Sequence, residues 1–124
     1  MAVFELTATT KEVMEYLWKF PEGISFREVY GHFTEEVKKD WKRQTLFTYI
    51  TILVNQGFIR TEGTRRRTRY IPAVTKDEYS QKRAEKMLGE YYDDSLFNLV
   101  SAFHKENRIS REEADKLIEL LKKD

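Results

Sequence analysis

Residues 41–72 read WKRQTLFTYITILVNQGFIRTEGTRRRTRYIP. Leu46, Ile50, Leu53 and Val54 recur at helical spacing from a start near Arg43, and Asn55-Gln56-Gly57 closes the run with a glycine suited to the left-handed position after a helix. Residues 58–61 and 68–71 are short and carry aromatic or β-branched side chains, so they read as two strands. Glu62-Gly63-Thr64 supplies the turn between them, and Pro72 ends the second. Helix, strand, arginine-rich turn, strand is the order in which a winged helix meets duplex DNA, so this stretch points to a fold and to a class of partner.

Two more helices are expected before it. Val13, Met14, Leu17 and Trp18 share one helical face, with Thr7, Thr9 or Thr10 available as caps and Pro21 and Gly23 as a stop. Ser25 precedes Glu28 by three positions, a capping-box spacing, and Phe26, Val29, Tyr30 and Phe33 form the apolar side of a second, shorter helix. Trp18 reads as core, and Trp41 as a residue that seats the third helix or lies near a DNA backbone.

The charge is segregated. Residues 1–37 carry three Lys/Arg against seven Asp/Glu, residues 38–72 nine against two, and residues 73–124 ten against twelve, so the whole-chain net of +1 hides a local net of +7. Such a field between acidic flanks suits a polyanion. With 124 residues and 40% hydrophobic content the chain supports one domain, or one domain and an appendage. No apolar run approaches a membrane span, and Glu5 with no basic leader argues against a signal peptide, so no membrane insertion and a cytoplasmic location are expected. The absence of cysteine removes disulfides, thiolate metal sites and cysteine nucleophiles. His32 and His104 have no neighbouring ligands at metal spacing, and no nucleophile motif or phosphate-cradling glycine loop is present. The expectation is therefore no enzyme, no metal and no cofactor.

The remainder is helical. Thr75 to Glu78 is a capping box that opens a long helix to about Tyr92, followed by a helix marked by Leu96, Leu99, Val100 and Phe103 and another, capped from Ser110 to Glu113, with Leu117, Leu120 and Leu121. So short a fragment cannot bury these faces within itself. Pairing with a second copy is the expected remedy, through Met87, Leu88, Tyr91, Leu96, Leu99, Val100, Phe103, Leu117, Leu120 and Leu121. The expected architecture is mainly α with a small β-hairpin wing: a winged-helix DNA-binding domain over residues 1–73 and a three-helix dimerisation domain over residues 74–124.

Four segments, LTATTKEVMEYLW, DWKRQTLFTYITILVNQGFI, RYIPAVTKDEY and SLFNLVSAFHKENRISREEADKL, resemble in order and spacing the penicillinase-repressor and methicillin-repressor (BlaI/MecI) family over nearly the whole chain. The resemblance implies a homodimeric repressor that occupies a palindromic operator on double-stranded DNA. It also implies relief when signalling from a membrane sensor protease leads to cleavage of the C-terminal domain. The matching bond is Ala102-Phe103. Copper-responsive relatives carry a C-terminal cysteine cluster, which this chain lacks.

Projected at 100° per residue, Gln44, Thr48, Thr51 and Asn55 lie opposite the core face of the third helix, with Phe47 and Ile52 beside them. Glutamine or asparagine pairs with adenine, and a threonine methyl packs on a thymine methyl. Lys42 and Arg43 stand at its N-terminal end, where phosphate is favoured, and Thr45 is counted with the DNA-binding residues. Arg65, Arg66, Arg67 and Arg69 add charge in the wing. The family usually has a small N-cap where this chain has Lys42, basic residues where it has Phe47 and Ile52, and lysines where it has Asn55 and Gln56. Charge has moved from helix to wing, so an operator unlike the β-lactamase type is expected. The alternative is a winged-helix protein-interaction module, with Phe47 and Ile52 as its support.

Overall fold

The computed structural model describes residues 5–123. The chain divides into two compact units between Arg83 and Ala84, a division that falls within the longest helix. The first unit runs α1 (Ala8–Leu17), β1 (Ile24–Ser25), α2 (Phe26–Gly31), a π-helical turn (His32–Glu36), α3 (Arg43–Asn55), β2 (Ile59–Glu62), a 3-10 turn (Arg65–Arg67), β3 (Arg69–Pro72) and the start of α4 (Lys76–Tyr92).

The starts of α1 and α2 have local causes. Thr7 and Thr10 cap α1 reciprocally, and Ser25 and Glu28 do the same for α2. The C-terminus of α3 is a Schellman motif. The Phe58 N–H donates to the Leu53 carbonyl at 2.9 Å and the Gly57 N–H to the Val54 carbonyl at 3.1 Å, with Gly57 at φ +87°. Leu53 and Phe58 are both fully buried, so the motif turns the chain straight from helix into sheet with its hydrophobic contact in place.

The three strands are antiparallel in the order β1-β3-β2. Ile59 faces Pro72 and Glu62 faces Arg69 across the hairpin, while Ile24 faces Tyr70. Both strands of the hairpin lie one residue later than the pattern predicts. The two-residue β1 has no periodicity of its own to read. Gly23, at φ +102°, delivers it against β3, where a Cβ would fall 2.7 Å from Ile71.

The core is contributed by Val13, Met14 and Leu17 from α1, Leu46, Ile50 and Leu53 from α3, and Phe33 and Phe58 from the connections. Val74 and Tyr79 belong to the same cluster, and the Trp18 indole N–H donates to the Val74 carbonyl at 2.8 Å. The first unit thus extends past residue 73, because the segment that opens α4 packs on α1. Trp41 is half-buried. Its ring lies 5.0 Å from Phe33 and 5.2 Å from Tyr49, and its carbonyl accepts from the Tyr30 hydroxyl, so it seats the entry to α3.

The second unit holds the end of α4, α5 (Leu96–Lys105) and α6 (Arg111–Lys122). Ser95 caps α5 and Ser110 caps α6. No described residue of α5 or α6 is buried. No described helix is long and apolar enough to cross a membrane.

Candidate nucleic-acid interface

The outward face of α3 is set by its inward one. With Leu46, Ile50 and Leu53 fully buried, Gln44, Phe47, Thr48, Thr51, Ile52 and Asn55 are all exposed. The face expected from sequence is therefore the one the fold presents. Thr45 is half-buried, and Lys42 is the exposed N-cap residue, with no side-chain cap bond. The backbone N–H groups of the first turn are left with no capping side chain from Lys42, which suits an anion.

The wing is tighter than a simple turn. Gly63, at φ +84°, lets the chain fold back so closely that a Cβ would collide with the Arg67 carbonyl. The three arginines between them form a single 3-10 turn, closed by the Arg67 N–H to the Thr64 carbonyl at 3.0 Å and the Thr68 N–H to the Arg65 carbonyl at 3.2 Å. All three are exposed. Arg69 differs from them, because its guanidinium donates to the Gly23 carbonyl and ties β3 to the β1 turn. Arg60 on β2 pairs with Glu62.

Between α3 and the wing lies a cleft of about 800 Å³. Phe26, Phe47 and Tyr70 give it apolar walls, and Arg27, Arg43, Arg65 and Arg66 give it positive charge with no carboxylate among the lining residues. The Arg43 guanidinium is held over two rings, 5.1 Å from the Phe26 centroid and 5.3 Å from that of Tyr30. Burial pushes the Tyr70 phenol above the ordinary tyrosine range, so it stays neutral at physiological pH. Low-dielectric walls concentrate the field of four guanidinium groups on whatever enters.

Arg27 and Phe26 were not among the residues expected here. Arg27 sits in the segment whose net charge is negative, so segmental counting conceals it, and only the fold of α2 against α3 carries it to the cleft. The His32 ring stacks on Tyr16 at 3.7 Å, and its Nδ1 lies 3.3 Å from a Glu36 carboxylate oxygen. Among the described residues there is no cluster of three metal-ligating side chains.

In the second unit, Met87, Leu88, Leu99, Val100 and Leu117 are half-buried, while Tyr91, Leu96, Phe103, Leu120 and Leu121 are exposed. Tyr91 is 73% exposed, Leu121 71% and Phe97 78%. Phe97 and Ile118 extend this apolar surface beyond the residues singled out from sequence for pairing. Ala102 and Phe103 lie within α5, the first half-buried and the second exposed.

The penicillinase repressor family model matches residues 6–123. The chain is 25% identical over 122 residues to the methicillin resistance regulatory protein MecI of Staphylococcus aureus, covering 97% of this chain and 95% of that protein. It is 24% identical over 110 residues to the penicillinase repressor of Bacillus licheniformis, covering 89% and 84%. The solution structure of the DNA binding domain of the repressor BlaI shares its fold, with a TM-score of 0.55 at 22% identity over 64% of this chain and 94% of that domain.

Proposed function

Because this chain belongs to the penicillinase repressor family, we propose that it is a sequence-specific DNA-binding transcriptional repressor that acts as a homodimer on a promoter palindrome. The observation that carries the reading is the cleft between α3 and the wing, where four arginines and no acid flank an exposed helix face. A helix in the major groove reads base edges, and guanidinium groups on either side of it hold the phosphates that fix its register.

The pairing rests on the second unit. Its helices leave Tyr91, Phe97, Phe103 and Leu121 in water, an apolar surface that a two-fold partner covers with the same residues. Two copies then present two copies of α3 to two half-sites. Relief by cleavage at Ala102-Phe103 belongs to the same proposal. That bond lies inside α5, so a protease that takes extended backbone must first open the helix, and dimer and substrate become alternative states of one segment.

The experiment is binding of mixed genomic DNA fragments at two salt concentrations, with sequencing of the bound pool. An enriched palindrome and weaker binding at the higher salt are expected. Absence of both supports the other reading, in which the exposed Phe47 and Ile52 of α3 contact a protein.

A further inference from the structure

A threonine on a recognition helix has three things to offer a base: a hydroxyl proton, an oxygen lone pair and a methyl group. In α3 the protons are already engaged. The Thr48 hydroxyl donates to the Gln44 carbonyl at 2.9 Å, and the Thr51 hydroxyl donates to the Phe47 carbonyl at 2.9 Å. The Gln44 side-chain amide also donates toward the Thr48 oxygen, at 3.4 Å. What the two threonines retain is a methyl group each and an oxygen that only accepts. Phe47 and Ile52 beside them carry no polar side-chain atom and are 46% and 40% exposed.

From these observations, and resting on the repressor reading above, we propose that the middle of α3 recognises thymine through its 5-methyl group. Phe47, Thr48, Thr51 and Ile52 form the contact. In the major groove either pair shows two acceptors and one amino donor, guanine N7 and O6 with cytosine N4 or adenine N7 and thymine O4 with adenine N6, and only the A·T pair adds a methyl group. Four neighbouring side chains without a free donor pair with none of these acceptors, so hydrogen bonding to them cannot separate the pairs and the methyl group is what this surface can read. A threonine oxygen accepts an amino proton from adenine or cytosine alike, whereas only thymine offers a methyl group to bury against methyls and a ring. Donors are confined to the ends of the face, at Arg43 and Gln44 on one side and Asn55 on the other. Positions 47 to 52 advance about 7.5 Å along the helix axis, about two base-pair steps. Each half-site should therefore hold thymine at one or two adjacent positions under the middle of α3, with hydrogen-bonded readout at its margins.

The test uses the full chain and a duplex recovered by repeated selection from random DNA. Each thymine of the bound site is replaced singly by dU, which deletes the methyl and keeps every hydrogen-bonding group. Binding should weaken about fourfold for each methyl that is buried, and should be unchanged at other thymines. Thr48→Ser and Thr51→Ser keep the hydroxyl bond to the helix and remove only the methyl, and Phe47→Ala removes the ring. At least one of the three should erase the discrimination between dT and dU at a contacted position. Tolerance of dU at every thymine overturns the inference, as does undiminished discrimination in all three variants. If selection enriches no sequence, the repressor reading itself fails and takes this inference with it; an enriched site indifferent to dU leaves that reading standing and removes this one alone.

Discussion

Gly63 is the position where a single methyl group does most to the wing. Its φ of +84° and the approach of the Arg67 carbonyl leave no room for a Cβ. Gly63→Ala should loosen the arginine turn and weaken DNA binding about tenfold or more, while thermal unfolding shifts by no more than a few degrees, because the turn is exposed and the core is untouched. Fluorescence anisotropy with a labelled operator, beside a melting curve, separates the two effects; equal DNA affinity shows the turn to be irrelevant. The arginines it positions make a second prediction. Changing Arg65, Arg66 and Arg67 to alanine should reduce the slope of log affinity against log salt by about 0.9 for each phosphate that is no longer neutralised, and an unchanged slope excludes them from the interface. At this scale the sequence was readable wherever a residue acts within its own helix or turn: the outward set on α3 follows from the spacing of Leu46, Ile50 and Leu53. It was not readable where a residue acts through a tertiary neighbour. Arg27 reaches the cleft, and Arg69 is engaged by Gly23, only because β1 and α2 fold beside elements distant in the chain.

Elements with reciprocal caps were the most legible. Ser25 with Glu28 and Thr75 with Glu78 form the boxes their spacing predicts, since each satisfies two otherwise unpaired backbone groups locally. The second box carries a pH dependence. The Thr75 backbone N–H, and then its hydroxyl, bond the Glu78 carboxylate and hold its pKa below the ordinary glutamate value. A depressed folded-state pKa contributes stability that is present above the unfolded value of about 4.3 and is lost as pH falls through the folded one. The start of α4 should therefore fray in acid before the core opens, seen as faster exchange of the Thr75 amide. Thr75→Ala removes the hydroxyl and keeps the backbone N–H, so it should move the Glu78 carboxyl, followed by NMR titration, only part of the way up toward the ordinary range; a titration that does not move would mean that the hydroxyl bond is not a cause. Strands were less legible than helices. β1 has two residues and exists because β3 offers it a partner, and the hairpin register depends on the compact arginine turn that pattern alone does not disclose.

For the whole molecule, the contrast between the two units matters most. The first closes a core around α1, α3 and the sheet, whereas no described residue of α5 or α6 is more than half-buried. A surface of that kind suits a partner, and in the proposed dimer a second copy would supply it with the symmetry a palindrome requires. Replacing Phe103 by glutamate should shift the chain toward monomer in sedimentation at micromolar concentration and weaken operator binding in parallel. A charged side chain in a two-fold interface meets its own copy, and each ion loses hydration. Loss of folding in the first unit would be a different result, and the near-ultraviolet dichroism of Trp18 and Trp41 reports it directly. The apolar periodicity of the second unit pointed to faces too large for so short a fragment to cover, but not to the extent of the exposed apolar surface, which also takes in Phe97 and Ile118.

The measurement that bears most directly on two-fold recognition of DNA is the mass of the complex formed by the full chain on its recovered operator, compared with a duplex carrying one half-site. Two chains on one intact site, with the half-site bound far more weakly, is the result predicted for a two-fold symmetric repressor. One chain per site, or equal affinity for site and half-site, would contradict it.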